Sequence, residues 1–378
     1  MKIIHATSAH NPYDPRILWK QCASLAARGF DVTLLAPFDQ PLPDEAGVKF
    51  QIMPMPKGRF MRFVKMPWHI FKVLWRNKDG LSHVHDPDLL PVVLLLRLFG
   101  RRVVFDMHEN VPKQILQKVW IPIPVRKTVS WLWRGFERVA FRFVPVVLAA
   151  KSCSDDYQWV RTDRKADVYN YPMAQAVLAI ERKLKDRPTV TYVGGIMEER
   201  ASDVLMDAID ILHARGQCPY FDMIGPTTPP NLIDIYRERI NKAGLDDRVR
   251  FYGYVRNDEA LKIVQGAHIG LSFLRAKPNY INTFATKMLE YMALSMPIIT
   301  SNFPLYSTIT QEHDCGLIVD PEKAEELADA IVYLLDNRDE AERMGANGRK
   351  AVAEHYEWES QFANLLELYA RLGVTPLR

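Results

Sequence analysis

The chain is poor in cysteine. Its four cysteines, Cys22, Cys153, Cys218 and Cys315, are scattered through 378 residues without a C-x-x-C spacing. Structural zinc sites and disulfide frameworks in small domains need closely spaced cysteines, so this distribution argues against both. Isolated thiols are typical of a protein that works in a reducing cytoplasm.

Long apolar segments are also missing. The longest run, LLPVVLLLRLF at 89–99, is too short for a membrane-spanning helix, which needs about 20 residues, and it predicts a buried helix. The opening residues, MKIIHATSAH, are strand-like and lack the apolar core of a signal peptide. We therefore expect a cytoplasmic protein without a spanning anchor.

Acidic residues are scarce in the first half of the chain. The net charge is +4, but residues 1–180 contain 26 Lys and Arg against 15 Asp and Glu, whereas residues 181–378 contain 23 against 30. Residues 57–78 hold seven cations and no acid, and residues 113–142 hold seven cations and one acid, Glu137. Five of the eight tryptophans lie in these two segments.

Basic stretches with interleaved tryptophans are typical of amphipathic helices that lie on anionic membranes. The same helices could instead pack on their own domain with solvated outer faces. Nucleic-acid binding uses similar charge, but no recognition motif accompanies it here. We expect 57–78 and 113–142 to contact an anionic membrane surface, and we expect no nucleic-acid partner.

The apolar segments that are present alternate between strand and helix patterns. The strand KIIHATSA is followed by the helical pattern RILWKQCASLAARG, which ends at Gly29, and by the strand DVTLLA. Further strands are predicted at LSHVHDP, RRVVFDMHE and FVPVVLAA. Near-continuous apolar strands separated by helices predict a parallel sheet covered on both faces.

The alternation starts again at TVTYVGGI, after a polar stretch that contains prolines. Strands are predicted at YFDMIG, VRFYGYV, HIGLSFL and CGLIVDP. The fold class is therefore α/β, with two doubly wound, Rossmann-like domains that face each other across a cleft. The expected divisions are an N-terminal domain at 1–170, a linker at 171–188, a C-terminal domain at 189–355, and a helix in 356–378 that packs back on the N-terminal domain.

Loops after the strands of the second domain carry the features of a ligand site. Gly194 and Gly195 end a strand and let a ligand approach the backbone, with Arg200 within reach of an anion. Lys287 lies in the first turn of the helix that bears Glu290, where a cation is unfavourable unless an anion binds at the helix N-terminus. A glutamate one turn into a helix can accept both hydroxyls of a ribose. Together these residues predict a nucleotide diphosphate.

Over almost its whole length the chain resembles the family-4 retaining glycosyltransferases, which have the GT-B fold. That family has the pattern E-G-F-G-x-x-x-x-E ahead of a short strand led by proline, and this chain reads N-T-F-A-T-K-M-L-E. The resemblance implies that Glu290 holds the ribose diol, and that the backbone of Phe284, Ala285 and Thr286 meets the donor sugar and distal phosphate. Asn282 replaces the first glutamate, and its neutral amide can still hydrogen-bond sugar hydroxyls.

Two further motifs of the second domain carry the resemblance. The family pairs an arginine beside the first glycine with a lysine about five residues later, and Gly195 and Arg200 occupy these places here. Lys287, where the family often has proline, is expected to supply the missing cation. The stretch YGYV resembles the turn that holds the nucleobase, which puts Tyr254 and Val255 against the base.

In the first domain, DMHE matches the strand-end histidine that faces the donor sugar, which is His108 here. HNPYDPR, residues 10–16, takes the place of a glycine-rich loop, and it puts His10 and Arg16 on the acceptor side. His108 could instead be a satisfied core histidine at a strand end. The stretch DPD at 86–88 looks like the metal-binding D-x-D of other transferases, but its position before a helix predicts a capping role.

The resemblance implies transfer of a sugar, with retention, from a nucleotide-diphosphate sugar to a lipid-linked or polysaccharide acceptor. The departing diphosphate can itself take the acceptor proton, while Arg200, Lys287 and the helix N-terminus stabilise its charge. No metal and no other cofactor are expected. A retaining glycosidase needs two carboxylates about 5 Å apart, and the sequence offers no second candidate beside Glu290.

Two other functions stay open. One is a GT-B epimerase or phosphorylase that acts on a nucleotide sugar. The other is an inactive protein that binds sugar nucleotides, which the replacement at Asn282 keeps open. The favoured interpretation is a hexosyltransferase of cell-envelope or exopolysaccharide synthesis, peripheral on the inner face of the cell membrane.

Overall fold

The computed structural model describes residues 1–42, 44–55, 57–58, 61–118, 120–277, 281 and 284–376. The chain divides into two compact units, one of residues 1–170 with 358–378 and one of residues 171–357. Residues 171–188, which were predicted as a linker, lie within the second unit. Each unit is built on its own parallel sheet.

The first unit has a seven-stranded sheet in the order β3-β2-β1-β4-β5-β6-β7. The strand order reverses between β1 and β4, which pair in parallel. Ligands of doubly wound sheets bind beyond the carboxyl ends of the strands at such a point. The strands are β1 (Lys2–Ala6), β2 (Asp31–Pro37), β3 (Val48–Met53), β4 (Leu81–Val84), β5 (Arg102–Met107), β6 (Val146–Leu148) and β7 (Lys165–Asp167).

Helices cover both faces of this sheet. Ile3 and Leu34 pack in the same cluster as the helical segment Pro15–Cys22, whereas their neighbours Ile4 and Leu35 pack with α2 and α3. Successive strand residues point to opposite faces, so apolar neighbours along one strand bury both. The helices are α1 (Ala23–Ala27), α2 (Met66–Arg76), α3 (Leu90–Leu98), α4 (Val111–Ile115), α5 (Ile123–Ala140) and α6 (Lys151–Asp156).

The second unit has a six-stranded parallel sheet in the order β10-β9-β8-β11-β12-β13. Its order reverses between β8 and β11. The strands are β8 (Thr189–Val193), β9 (Tyr220–Ile224), β10 (Val249–Gly253), β11 (Ile269–Ser272), β12 (Ile298–Ser301) and β13 (Gly316–Val319). The helices are α7 (Ala174–Leu178), α8 (Ser202–Ala214), α9 (Leu232–Lys242), α10 (Asn257–Val264), α11 (Thr286–Ala293), α12 (Pro304–His313), α13 (Ala324–Asp336) and α14 (Arg338–His355).

The last helix, α15 (Trp358–Arg371), belongs to the first unit. Trp358, Phe362 and Leu365 are buried in the cluster that contains Ile3, and the indole Nε1 of Trp358 donates to Ser24 Oγ at 3.0 Å. The predicted return of the C-terminal helix to the N-terminal domain is confirmed.

The prediction of a buried helix at 89–99 is only half right. α3 packs one side on the sheet, but Leu95, Leu98 and Phe99 are 41%, 61% and 60% exposed. The run is apolar except for Arg97, so its pattern gave little indication of an outer face. Within the described part of the chain, the structure has no helix long and apolar enough to cross a membrane.

Trp358 offers a test of how α15 is held. Its side chain is 1% exposed, and Trp358→Ala leaves a cavity under the helix, so we expect the opening free energy of α15 to fall by about 3–5 kcal/mol. Hydrogen exchange of the α15 amides measures this local stability. Trp358→Phe keeps most of the ring contact and should cost less. Unchanged α15 exchange in Trp358→Ala would contradict the packing.

Candidate functional site

In the second unit, the strand order reverses beside β8, and a pair of glycines follows this strand. Gly194 and Gly195 follow β8, and Gly194 has a φ of +135°, which favours glycine. Gly225 follows β9, and a Cβ atom there would lie 2.0 Å from the Gly194 carbonyl oxygen. A side chain is therefore excluded at Gly225 and disfavoured at Gly194, and the backbone of Gly194 and Gly195 is partly exposed.

Two cations converge on this glycine pair. A Cβ atom placed on Gly194 would lie 3.0 Å from an Nη1 atom of Arg200 and 3.7 Å from Lys287 Nζ. The Lys287 side chain is buried, and its Nζ lies 3.7 Å from the centre of the Tyr192 ring. Among the described residues, Nζ has no hydrogen-bond partner. The predicted pair of cations is therefore brought together in space.

Burial lowers the pKa of Lys287 well below its usual value, and the charge of Arg200 lowers it further. Attraction to the Tyr192 ring offsets part of this cost. A buried ammonium without a hydrogen bond is unfavourable, and a bound anion would supply both charge and acceptors. The arrangement is therefore a candidate anion site.

Other residues hold the cations in place. The Tyr192 hydroxyl donates to the Gly195 carbonyl at 3.0 Å, and the amide of Val193 donates to the Tyr291 hydroxyl at 2.8 Å, which ties β8 to α11. Arg275 binds both carboxylate oxygens of Asp203 at 2.7 Å and also donates to the Glu198 carbonyl, at the start of the turn that contains Arg200. Except for the bond from Tyr192 to Gly195, these contacts join residues more than 70 positions apart, so local sequence pattern does not predict them.

The helix α11 begins beside these cations, since Lys287 is its second residue. Ala285 precedes the helix in an extended conformation, and among the described residues it has no side-chain cap. Thr286 opens the helix, and the Phe284 ring meets Tyr171 edge-on at 5.6 Å. Asn282, predicted to contact the donor sugar, lies outside the described residues. Lys287 lies in the first turn of α11, so the partial positive charge of the helix N-terminus would favour an anion beside it.

Glu290 is buried on the same helix. Its Oε1 accepts a hydrogen bond from Asn257 Nδ2 at 3.2 Å. Asn257 opens α10 directly after the turn that contains Tyr254 and Val255, and the Tyr254 side chain is 69% exposed. The structure thus brings the predicted ribose residue and the predicted base turn together, and it adds Asn257, which has no sequence signal.

In the first unit, Asp106 occupies the centre of a buried polar cluster. Its carboxylate accepts from Arg16 Nη2 at 3.0 Å and from Gln21 Nε2 at 2.6 Å. Burial alone would raise the pKa of Asp106, but the Arg16 charge and the neighbouring His108 and His83 bring it well below its usual range. Arg16 is 4% exposed and also donates to the Val168 carbonyl, so its guanidinium serves this cluster.

Several imidazoles surround the same carboxylate. His85 Nδ1 lies 3.4 Å from Asp106 Oδ2 and 3.2 Å from Nε2 of His108, while His85 Nε2 lies 3.0 Å from His5 Nδ1. His83 Nδ1 lies 2.5 Å from the Tyr369 hydroxyl. Burial lowers the pKa of His85 to about 3, so this ring is neutral at pH 7. His108, predicted to face the donor sugar, is the half-buried outer member at the end of β5.

Two groups in this cluster bring three candidate ligand atoms within 4.8 Å of one another. In the first, the rings of His5, His83 and His85 are stacked at 15–26° to one another, so their in-plane lone pairs run side by side and do not converge on an ion. In the second, the carboxylate of Asp106 already pairs with Arg16, whose charge opposes a divalent cation. Neither donor set suits a metal ion.

Asp86 follows β4, and its predicted capping role is wrong. It stands at the N-cap of the turn Pro87–Leu89 but makes no side-chain cap there. Its carboxylate instead accepts from Thr7 Oγ1 at 2.5 Å and lies 3.0 Å from His10 Nδ1. Both partners lie in the loop after β1, 76 or more residues earlier in the chain.

The predicted basic, aromatic segments form helices with exposed apolar side chains. Trp68 on α2 is 57% exposed, and on α5 Ile123, Trp131 and Leu132 are 75%, 72% and 57% exposed. α3 lies with them, since the Trp75 and Phe99 rings meet at 5.2 Å. We call the outer sides of α2, α3 and α5 the aromatic-basic face. Such a patch on a monomer marks an interaction site.

Comparisons with known proteins agree with this arrangement. A family model described as "Glycosyl transferases group 1" matches residues 175–351, and one described as "Glycosyl transferase 4-like domain" matches residues 16–157. The GDP-mannose-dependent alpha-(1-6)-phosphatidylinositol monomannoside mannosyltransferase of Mycobacterium tuberculosis is 28% identical over 203 residues, 52% of this chain and 51% of the relative. This chain thus spans about half the length of that relative.

Solved structures show the same fold. Sucrose-phosphate synthase from Thermosynechococcus elongatus superposes with a TM-score of 0.73, at 19% identity, over 99% of both chains. HepE of Anabaena, solved in complex with UDP-glucose, superposes with a TM-score of 0.69, at 14% identity, over 99% of this chain and 100% of that chain.

The anion site makes a testable prediction at Lys287. Lys287→Met removes a buried charge that lacks a hydrogen bond, so we expect the ligand-free protein to gain about 1–3 kcal/mol in free energy of unfolding. The variant should also lose the thermal stabilisation that pyrophosphate gives the wild type. Lys262→Met, at an exposed position of α10, is the control and should change neither. A destabilised Lys287→Met that still responds fully to pyrophosphate would contradict the anion site.

Proposed function

Because this chain belongs to the family-4, group 1 glycosyltransferases of GT-B fold, we propose that it transfers a sugar from a nucleoside-diphosphate sugar to an acceptor hydroxyl. The observation that carries the proposal is the convergence of Lys287 and Arg200 on Gly194 and Gly195. This is a site for the diphosphate of the donor. The reaction is expected to retain the anomeric configuration, as in the family that the chain resembles.

Catalysis in this proposal is electrostatic. When the bond between the sugar and the diphosphate breaks, negative charge grows on the leaving oxygens. Arg200, Lys287 and the positive end of the α11 helix dipole are fixed before the reaction, so they stabilise that charge without reorganising. These groups supply the positive charge that a divalent metal gives in other transferases, and the proposal therefore involves no metal.

The nucleoside lies beyond the diphosphate, towards α10. Glu290 accepts the ribose hydroxyls, Asn257 fixes its carboxylate, and the base lies against Tyr254 and Val255. The structural neighbour HepE binds UDP-glucose, and the mycobacterial relative is named as GDP-mannose-dependent. UDP and GDP sugars are therefore the donors to test first.

The acceptor is proposed to be lipid-linked. The aromatic-basic face offers apolar side chains for the membrane interface and cations for anionic headgroups. The mycobacterial relative is named for a phosphatidylinositol monomannoside acceptor. A growing glycan on a lipid carrier, in cell-envelope or exopolysaccharide synthesis on the inner face of the membrane, fits both observations.

Product analysis separates this function from its alternatives. A transferase releases free nucleoside diphosphate only when an acceptor is present. An epimerase converts the nucleotide sugar without release, and a phosphorylase requires inorganic phosphate. Donor binding without turnover on any lipid extract would indicate an inactive nucleotide-binding protein.

Glu290 gives a sharp test of the ribose contact. Glu290→Gln removes the charge that strengthens the ribose hydrogen bonds, so we expect UDP or GDP to bind more weakly by about 2 kcal/mol in calorimetry. The 2′,3′-dideoxy nucleotide lacks both hydroxyls and should bind the variant and the wild type equally. Glu259→Gln, on the exposed side of α10, is the control. An equal loss for both nucleotides would assign Glu290 a role other than ribose binding.

Membrane binding is tested on α5. Lys127→Gln, Arg134→Gln and Arg138→Gln together should weaken binding to phosphatidylglycerol vesicles by about 3 kcal/mol, because each cation near an anionic surface contributes about 1 kcal/mol. Vesicle sedimentation at low salt measures the loss. The control replaces three cations of the second unit, Arg237, Lys242 and Lys262, with glutamine. Equal losses in both triple variants would show that charge alone, without the aromatic-basic face, drives binding.

A further inference from the structure

The amino-terminal edge of the second sheet carries a groove of about 490 Å³. Its lining residues come from β8, β9 and β10, from Arg248 just before β10, and from residues 185–187. The candidate anion site lies beyond the other end of β8, so the length of this strand, about 15 Å, separates the two. The groove is therefore a second feature of the same unit.

The strands present a polar surface to the groove. Tyr220 and Asp222 point to the same side of β9, whereas Phe221 between them packs in the apolar cluster on the other side. Arg250 is the partner of Asp222 in the pairing of β10 with β9, so it lies on the polar side as well. Helices normally cover both faces of a parallel sheet. Here no described residue that lines the groove belongs to a helix, so this corner of the sheet is open.

Cations outnumber acids in the groove, although this half of the chain is acidic. Residues 181–378 hold 23 Lys and Arg against 30 Asp and Glu. The groove is lined by four cations and two acids, namely Lys185, Arg187, Arg248 and Arg250 with Asp186 and Asp222. Lys185 Nζ donates to Asp222, which is buried and also accepts from the Tyr252 hydroxyl at 3.0 Å. In the described part of the chain, Lys185 is the one cation of the groove that pairs with a carboxylate.

Tyr220 holds two of the three arginines in place. The Cζ atoms of Arg187 and Arg248 lie 5.0 and 5.4 Å from the centre of the Tyr220 ring. Arg187 Nη1 also donates to the Tyr220 hydroxyl at 2.7 Å, and Arg248 Nη1 donates to the Cys218 carbonyl. A guanidinium has five N–H donors, so each arginine keeps donors for a ligand while its position is fixed. Groups that are already ordered lose less conformational entropy on binding.

We propose that this groove binds a phosphate monoester. Arginine presents paired N–H donors that match phosphate oxygens, and such charge-assisted hydrogen bonds are about twice as strong as neutral ones. A phosphate held by Arg187 and Arg250 would join the segment before β8 to the edge strand β10. The ester can belong to a soluble metabolite or to a lipid headgroup, since both offer the same dianion.

This site is independent of the proposed transfer reaction, and its affinity separates it from the anion site at Lys287. The groove is open to solvent, so we expect inorganic phosphate to bind with a dissociation constant of about 1 mM. Pyrophosphate at micromolar concentration therefore reports on the Lys287 site alone. The groove is tested in Lys287→Met, so that the anion site beside Gly194 does not contribute.

Inorganic phosphate is the probe, and broadening of its phosphorus NMR line during a titration measures binding. The groove variant carries three substitutions, Arg187→Gln, Arg248→Gln and Arg250→Gln. It should bind phosphate at least about tenfold more weakly, because three charge-assisted hydrogen bonds are lost. The control variant replaces three exposed cations of the same unit with glutamine, namely Arg237, Lys242 and Lys262. Its affinity should match that of Lys287→Met.

A single substitution guards against a groove variant that fails to fold. Arg250 is exposed on the edge strand β10, so Arg250→Gln should keep the wild-type circular dichroism and denaturation midpoint. We expect it to bind phosphate about threefold more weakly. Unchanged affinity in Arg250→Gln, together with a groove variant that is unfolded or binds as before, would overturn the proposal.

Vesicles distinguish a lipid headgroup from a soluble ester. The protein used here carries the three α5 substitutions, Lys127→Gln, Arg134→Gln and Arg138→Gln, which weaken binding through the aromatic-basic face. Phosphatidic acid is a phosphate monoester, whereas phosphatidylglycerol is a diester. If a headgroup is the ligand, phosphatidic acid vesicles should sediment more of this protein than phosphatidylglycerol vesicles, and the groove substitutions should remove the difference. If the ligand is soluble, inorganic phosphate should bind and the two kinds of vesicle should sediment the protein equally.

The site is overturned if the groove and control variants bind phosphate equally and sediment equally with both kinds of vesicle. The three arginines would then be a solvated surface cluster. Failure of UDP or GDP to bind the wild type would overturn the proposed function instead, and it would leave the phosphate result at the groove as it stands.

Discussion

The second unit depends on a buried lysine to which the described residues offer no hydrogen-bond acceptor. Lys287 Nζ lies against the Tyr192 ring and next to Arg200, and burial together with the Arg200 charge lowers the pKa of this lysine. Such an arrangement costs stability in the empty protein, and strained or unpaired groups of this kind persist at functional sites. Under the proposed function, the glycines beside it, the hydroxyl–backbone bonds of Tyr192 and Tyr291, and the start of α11 together position an anion there.

In the first unit, by contrast, the buried charge has hydrogen-bond partners. Asp106 accepts hydrogen bonds from Arg16 and Gln21 and lies among imidazoles, so buried partners compensate its charge. His10 and His108 lie at the outer edge of this cluster, where their side chains are 29% and 22% exposed. One unit thus places two cations beside a glycine pair, and the other surrounds a buried carboxylate with a guanidinium and imidazoles.

The aromatic-basic face explains the charge asymmetry of the chain. Glu137 is the only acid in 113–142, and it is buried, where it accepts hydrogen bonds from the Trp133 indole and the Tyr157 hydroxyl. Burial raises its pKa to about 7, so this acid adds little negative charge to the surface near neutral pH. The outer side of α5 therefore combines cations with exposed Ile123 and Trp131, which favours an interface that is both apolar and anionic.

The sequence by itself determined the features that depend on neighbours along the chain. The strands of the second unit could be predicted because apolar residues predominate in each between turn residues, and the glycine pair, Lys287 and Glu290 could be predicted because each lies at a strand end or in the first turns of a helix. The edge strands β3 and β7 were not predicted. β7 has only three residues, and β3 mixes polar with apolar residues, as β10 also does.

Only the tertiary structure decided which distant residues meet. The sequence predicts Arg16 in a loop on the acceptor side, but the fold buries it against Asp106, 90 residues away. The sequence predicts that Asp86 caps a helix. Because β1 pairs with β4, its carboxylate instead contacts Thr7 and His10. Asn257 reaches Glu290 although α10 follows β10 and α11 follows β11, which lie on opposite sides of the reversal point. Such contacts follow from strand order, which long-range packing sets and local sequence pattern does not record.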